Sequence, residues 1–273
     1  MTEGQPQRNV IEAIGAAALA GIRYVGGAAL LFAAAGKWAL RGLVSPHVRF
    51  GRRALAEQTV RVGVRSLGIV MLVQAFIGVI LALQMTPPLE PWGQVDKVAN
   101  IIGVAGFRML GPIITAVVLS GFAGASIAAE LGTMVVSEEI EAMETMALNP
   151  IRFLVVPRVL ATVLAMLLLT VIADLMITAG GYAVSRLVLG PDVYEGYWSR
   201  MRVQLEYRDF FTGLVQAGVF GILISAIACY EGLRVRGGAQ GVGRATTMTV
   251  VYSIVAIIVA ACIFTAIFYV LKW

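Results

Sequence analysis

Five long apolar runs alternate with short polar stretches along this chain, at residues 66–89, 109–129, 159–185, 210–230 and 245–271. A helix needs about 20 mostly apolar residues to cross a bilayer, so each run is a candidate span. Helix is the expected state, because a lone strand in lipid leaves its backbone polar groups unsatisfied. Pro87 and Pro88 close the first run, Asp174 is the one ionisable residue deep in the third, and the fifth carries no charge. A weaker segment covers 10–40. Its longest uncharged stretch, Tyr24 to Gly36, is bounded by Arg23 and Lys37 and is too short to span. It reads as an interfacial helix lying in the membrane plane, with a sixth span as the alternative. The pattern predicts an all-α integral membrane protein, one domain over 1–273, with five transmembrane helices and an N-terminal interfacial helix.

Between the second and third runs lies a compact acidic segment, 134–150. Ser137 is a candidate N-cap, and Glu138 and Glu139 suit the positive end of a helix dipole. Ile140, Met143 and Met146 recur every three residues and share a face, with Glu141 and Glu144 beside it. Asn149-Pro150 is expected to stop the helix. The prediction is a helix of about ten residues with a methionine-rich stripe, a residue type that adapts to partner grooves. By pattern alone an ordinary interfacial loop remains equally open.

Composition agrees with a membrane protein. Apolar residues are 59% and charged residues 14%, against about 45–50% and about 25% in soluble domains. The net charge of +5 does not read as nucleic-acid affinity, because the basic residues gather on loops beside the runs. Arg41, Arg49, Arg52, Arg53, Arg61, Arg65, Arg152, Arg158, Arg234, Arg236 and Arg244 share one side if there are five spans. Lys97, Arg186, Arg200, Arg202 and Arg208 fall on the other, partly offset by acids. The richer side is placed in the cytoplasm, which puts the N-terminus inside and Trp273 outside. Tyr194, Tyr197, Trp198 and Tyr207 mark 187–209 as a short outer interfacial helix, with anchoring or the seating of an extracytoplasmic partner as its role.

The chemistry of an enzyme is missing. Two cysteines, both in apolar runs, and one histidine, His47 in a basic linker read as a surface residue, point to neither a disulfide framework nor a metal site. The N-terminus does not resemble a cleaved signal peptide. No G-x-x-x-x-G-K-[ST] occurs, so no P-loop nucleotide site is expected. The glycine-rich stretch from Arg234 to Thr246 reads as a flexible turn whose arginines are drawn to anionic headgroups. No catalytic set and no cofactor are assigned. Asp174 is read as a headgroup contact or gate, or as a structural pair. Small residues fall four apart at Ser120, Gly124 and Ala128 and at Gly121, Ala125 and Ala129, spacing that serves tight packing within the subunit or a subunit interface.

The acidic loop resembles that of the MlaE/YrbE-type permeases. The matching residues are Glu130-Leu131-Gly132-Thr133-Met134, Val136, Glu138 to Met143, Met146, Asn149-Pro150, Leu154-Val155 and Pro157-Arg158. A second matching stretch is Cys229-Tyr230, Gly232 and Gly237 to Val251. Together they cover roughly the last two thirds of the chain. The resemblance implies the homodimeric membrane subunit of an ABC-type lipid transporter in the inner (cytoplasmic) membrane. A separate ATPase would bind ATP and magnesium, and an MCE-domain extracytoplasmic protein and a STAS-domain protein would complete the complex. It makes the acidic helix a coupling helix, with Glu130, Thr133, Glu138, Glu139, Ile140, Glu141, Met143 and Met146 facing that ATPase. The family often has AGRxGA where this chain has Gly121-Phe122-Ala123-Gly124, an aspartate at Asn149 and an acid near Ala261; these departures point to an altered substrate path.

Two apolar stripes are candidate walls of a lipid cavity: Leu72, Phe76, Val79 and Leu83 on the first span, and Tyr252, Val255, Val259 and Cys262 on the last. An outward, lipid-facing surface has the same pattern. Outside the ABC class, a secondary transporter would rest on Asp174 and a break at Gly180-Gly181, and a scaffold for the ATPase is the third reading.

Overall fold

The computed structural model describes residues 10–44 and 52–271, and these hold helices and turns with no strand. His47, Arg49 and Trp273 lie outside the described residues. Five helical stretches are long and apolar enough to cross a membrane: Leu55–Trp92, Val95–Val136, Ile151–Leu189, Tyr207–Leu233 and Gly238–Val270. The first four each contain one predicted run and extend past it at both ends, and the fifth begins before its run and ends at Val270. The polar residues at the run ends continue the helix, because backbone hydrogen bonding does not stop where hydropathy falls.

The helices are α1 (Val10–Val44), α2 (Arg52–Leu89), α3 (Val98–Ala105), α4 (Gly111–Leu119), α5 (Ala125–Val136), α6 (Glu139–Thr145), α7 (Val156–Val184), α8 (Pro191–Tyr194), α9 (Tyr197–Gln204), α10 (Tyr207–Leu233) and α11 (Gly238–Val270). α10 packs against α7, α11 and α5, and α2 runs along α7. The central core comprises Leu119, Met166, Phe220, Ile224 and Ile257. α2 and α7 meet where neither has a side chain to spare. A Cβ on Gly78 would strike the Ile177 carbonyl, and one on Gly180 the Ala75 carbonyl. Backbones can approach this closely only at glycine. Gly181 faces Tyr197 and Ile102, and α7 continues unbroken through both glycines. The break at Gly180-Gly181 that a secondary transporter would need is therefore not present.

The second span is one helical column with two π turns, Gly106–Leu110 and Ser120–Gly124. Pro112 explains the first. It has no N–H to give the Arg108 carbonyl four residues back, and Gln216 of α10 donates its Nε2–H to that oxygen instead, at 3.1 Å. Of the two small-residue rows, Ser120, Gly124 and Ala128 are buried, with Gly124 against Ile224 and Thr249. That row serves packing within the chain. Gly121 is exposed and Ala125 and Ala129 are half-buried.

α1 is a single helix of 35 residues and is not among the five helices apolar enough to cross. It rests on α10, α7 and the π turn Ile151–Val155, through Leu31, Ala35 and Trp38. Arg152 lies over the Trp38 ring at 5.5 Å.

At the far end, 187–209 forms two short helices rather than one. Tyr197 is not an interfacial aromatic: it is fully buried and donates its hydroxyl to the Thr178 carbonyl at 3.2 Å. Burial raises its phenol pKa above the ordinary value. Trp198 and Tyr207 are exposed, as the pattern predicts.

Candidate functional site

The acidic segment between α5 and α7 differs from its prediction in three details. α6 has seven residues, and its N-cap is Glu138 in the left-handed region at φ 61°. Ser137 does not cap it; its hydroxyl donates back to Thr133 O at 3.0 Å and to the Glu139 carboxylate at 2.9 Å. The end of α6 is set before Asn149-Pro150. Ala147 takes φ 59°, with its N–H on Glu144 O at 3.0 Å and the Leu148 N–H on Met143 O at 3.0 Å. These paired bonds form a Schellman motif, usually built on glycine. Asn149 instead starts the next helix. Its Oδ1 accepts from the N–H groups of Ile151 at 3.0 Å and Arg152 at 3.3 Å, with Pro150 at the first helical position, where a missing N–H is harmless.

Of the predicted coupling residues, Glu138, Glu139, Glu141 and Met146 are exposed, and Ile140 and Met143 are half-buried on one side of α6. Thr133 is exposed on α5, its hydroxyl turned back to Ala129 O at 2.7 Å. The result is a short acidic projection with a part-apolar face between two long helices.

Glu130 sits apart from that projection, inside the bundle. Its carboxylate meets Arg61 of α2 at 2.7 Å and Arg158 of α7 at 3.3 Å, and Ser126 donates to it at 3.3 Å. Arg158 is 8% exposed and also donates to Leu154 O at 3.0 Å. One carboxylate thus ties α2, α5 and α7 together at the root of α6. By hydropathy and topology both arginines read as charges on loops. The missed signal was their pairing, which needs the helix ends to be placed in space. Beside this clamp a cavity of about 190 Å³ is lined by Gln58, Arg61, Arg65, Phe122, Ser126 and Glu130, so Phe122 faces the charged groups of the clamp.

Asp174 is 1% exposed, and its carboxyl lies against the Cα of Gly111, where any side chain would collide with it. Gln74 of α2 donates to Gly111 O at 3.1 Å and to Thr115 Oγ1 at 2.9 Å. Asp174 Oδ1 and Gln74 Oε1 have no hydrogen-bond partner. Asp174 therefore belongs to a buried polar cluster of α2, α4 and α7, not to an arginine pair.

Apart from Tyr252, which meets Tyr24 of α1 with ring centroids 5.0 Å apart, the two apolar stripes face outward. Leu72, Phe76, Leu83, Tyr252, Val255, Val259 and Cys262 are exposed and Val79 is half-buried. α2 makes its main contacts with α7, and α11 with α10 and α5. Within one chain the stripes are not brought onto a common wall. Among the described residues no three of His, Cys, Asp and Glu gather to hold a metal.

The family model described as Permease MlaE matches residues 55–267, which spans all five crossing helices and α6. The chain belongs to the MlaE permease family. Similar proteins include a probable ABC transporter permease protein of Rickettsia felis, 37% identical over 215 residues, 79% of this chain and 83% of the relative. The intermembrane phospholipid transport system permease protein MlaE of Haemophilus influenzae is 30% identical over 225 residues, 82% and 86% of the two chains. Protein TRIGALACTOSYLDIACYLGLYCEROL 1, chloroplastic, of Arabidopsis thaliana is 34% identical over 217 residues, 80% of this chain and 62% of that protein. The match begins at Leu55, so α1 precedes it.

Proposed function

We propose that this permease is the membrane subunit of an ATP-driven transporter that moves phospholipids between membranes, seated in the inner membrane. A separate ATPase would bind ATP and magnesium and dock on α6. The observation that carries this reading is the geometry of α6: an exposed acidic helix hung between two membrane-crossing columns whose roots are joined by the Glu130 clamp. A push on α6 reaches α2, α5 and α7 together. The Haemophilus relative, named for intermembrane phospholipid transport, supports the cargo class.

The half-exposed row at Gly121, Ala125 and Ala129 and the outward stripes on α2 and α11 suit a second copy of the chain, with a lipid path between protomers. An MCE-domain protein on the far side and a STAS-domain protein beside the ATPase complete the proposed complex.

The test replaces Ile140 or Met143 with aspartate, which puts a charge on the part-apolar face of α6. The variant should still insert in the membrane, yet lose co-purification of the ATPase and ATP-dependent lipid movement in vesicles. Undiminished ATPase capture would overturn the assignment. Transport that runs without ATP would instead favour a secondary transporter working through the Asp174 cluster, and intact capture with no transport in the wild type would favour a scaffold.

A further inference from the structure

At the α6 end of the bundle a second cavity opens between α1, α5 and the α10–α11 turn. It measures about 700 Å³, and Tyr24, Val135, Glu231, Arg234, Arg236, Gly241, Arg244, Met248 and Tyr252 lie on its wall. Three arginines against one glutamate leave the lining with net positive charge. Arg234 is held in place: it donates to the Tyr230 hydroxyl at 2.9 Å and lies over that ring at 4.8 Å. Arg236 and Arg244 are exposed.

The turn itself is shaped by glycine. Gly237 and Gly238 take φ 90° and 66°, conformations that side chains resist. A Cβ on Gly241 would strike the Arg236 carbonyl, so glycine is what lets that backbone fold against the first turn of α11. α11 runs for 33 residues, and no side chain caps its N-terminus. Of its first turn only Gly241 lies on the cavity wall, beside Arg236 and Arg244.

Aromatic rings cluster at another part of the lining. Tyr24 contacts Tyr230 and Tyr252 with ring centroids 5.0 Å apart in each pair. On another face of α1, Gly21, Ile22, Val25 and Gly26 line a separate shallow apolar groove. The cleft thus passes from guanidinium groups to aromatic rings where a charged helix end becomes a membrane span. A phospholipid has this same order of chemistry.

We propose that this cleft binds the phosphate of an anionic phospholipid from the leaflet at the α6 end. Arg236 and Arg244 hold the phosphate. Tyr24 and Tyr252 line the passage of the acyl chains. A monoanionic headgroup without an amine is preferred over a zwitterionic one, because the lining offers surplus positive charge and Glu231 is its only carboxylate among the residues named. The site is distinct from α6 and does not depend on what cargo the transporter carries or on ATP.

The experiment uses the full permease released from nanodiscs containing equal phosphatidylglycerol and phosphatidylcholine, with retained lipid counted by native mass spectrometry. The wild type should keep phosphatidylglycerol at least fivefold over phosphatidylcholine. Arg236→Ala with Arg244→Ala should abolish that preference without lowering phosphatidylcholine retention. The double lysine variant, which keeps the charge and loses the fork, should retain an intermediate preference. Equal retention of both lipids by the wild type, or a preference that survives the double alanine change, overturns the proposal. Competition by millimolar inorganic phosphate or glycerol phosphate as effective as by phosphatidylglycerol assigns the cleft to soluble anions and also overturns it. An unchanged lipid preference together with lost ATPase capture in the alanine variant makes the face a protein contact instead.

Discussion

The two ends of this bundle are held by different physics. At the α6 end, one carboxylate bridges two arginines from other helices, and the segment beyond it turns through two left-handed residues, Glu138 and Ala147. At the far end, α9 is packed against α3 through Ala99, Tyr197 and Met201, with Gly103 pressed on Met201. Packed apolar contact is short-ranged and resists displacement. A charge clamp is strong when complete and costly when broken, because it leaves a buried ion alone. The comparison assigns rigidity to the far end and mechanical linkage to the α6 end.

The comparison breaks most sharply at Tyr197. Tyr197→Ala removes a fully buried ring and the hydrogen bond to Thr178, at a cost of about 4 kcal/mol. Thermal unfolding of the detergent-purified permease should fall by well over the shift seen for any α6 substitution, while ATPase capture by the folded fraction is unchanged. Loss of capture would mean that the far end is not independent of the coupling end.

Glu130→Gln tests the other end. It strips the charge facing a nearly buried Arg158 and should cost about 3 kcal/mol. Its transport should drop further than its stability, because α2, α5 and α7 no longer respond together. Equal losses in both would reduce the clamp to a structural pair. The smallest expected effect is a gain. Ala147→Gly relieves a left-handed alanine, a conformation that costs an L-residue about 1 kcal/mol. Melting should rise slightly, and a fall would show that the Schellman turn is not retained in solution.

The five crossings were legible because a bilayer imposes about 20 apolar residues per helix, and nothing else in the chain meets that demand. The ends were not. Val95–Val136 reaches well past 109–129 on both sides, because the polar residues there are satisfied by partners that sequence does not reveal, such as Asp209 facing Arg108 at 3.7 Å. α6 was legible as an acidic amphipathic helix, but its caps were misplaced. Ser137 and Asn149 both have cap chemistry, and which helix each serves depends on local φ values at Glu138 and Ala147. Tyr197 looked like its exposed neighbours Trp198 and Tyr207, since burial of one aromatic among several depends on which face of a short helix meets α3. The Glu130 clamp joins residues far apart in sequence, so its charges could be counted but not paired.

The helical column Val95–Val136 has a further consequence. Its 42 residues, at about 1.5 Å each, amount to roughly 63 Å of rise. The hydrocarbon slab is only about 30 Å thick. Even with a tilt of about 20°, roughly half of the column stands clear of the oily layer. Most of that surplus, 95–108, stands at the far end, while 130–136 carry about 10 Å of rise toward α6, so α6 rides close to the membrane surface and a tilt of the column moves it together with the depth where lipid moves.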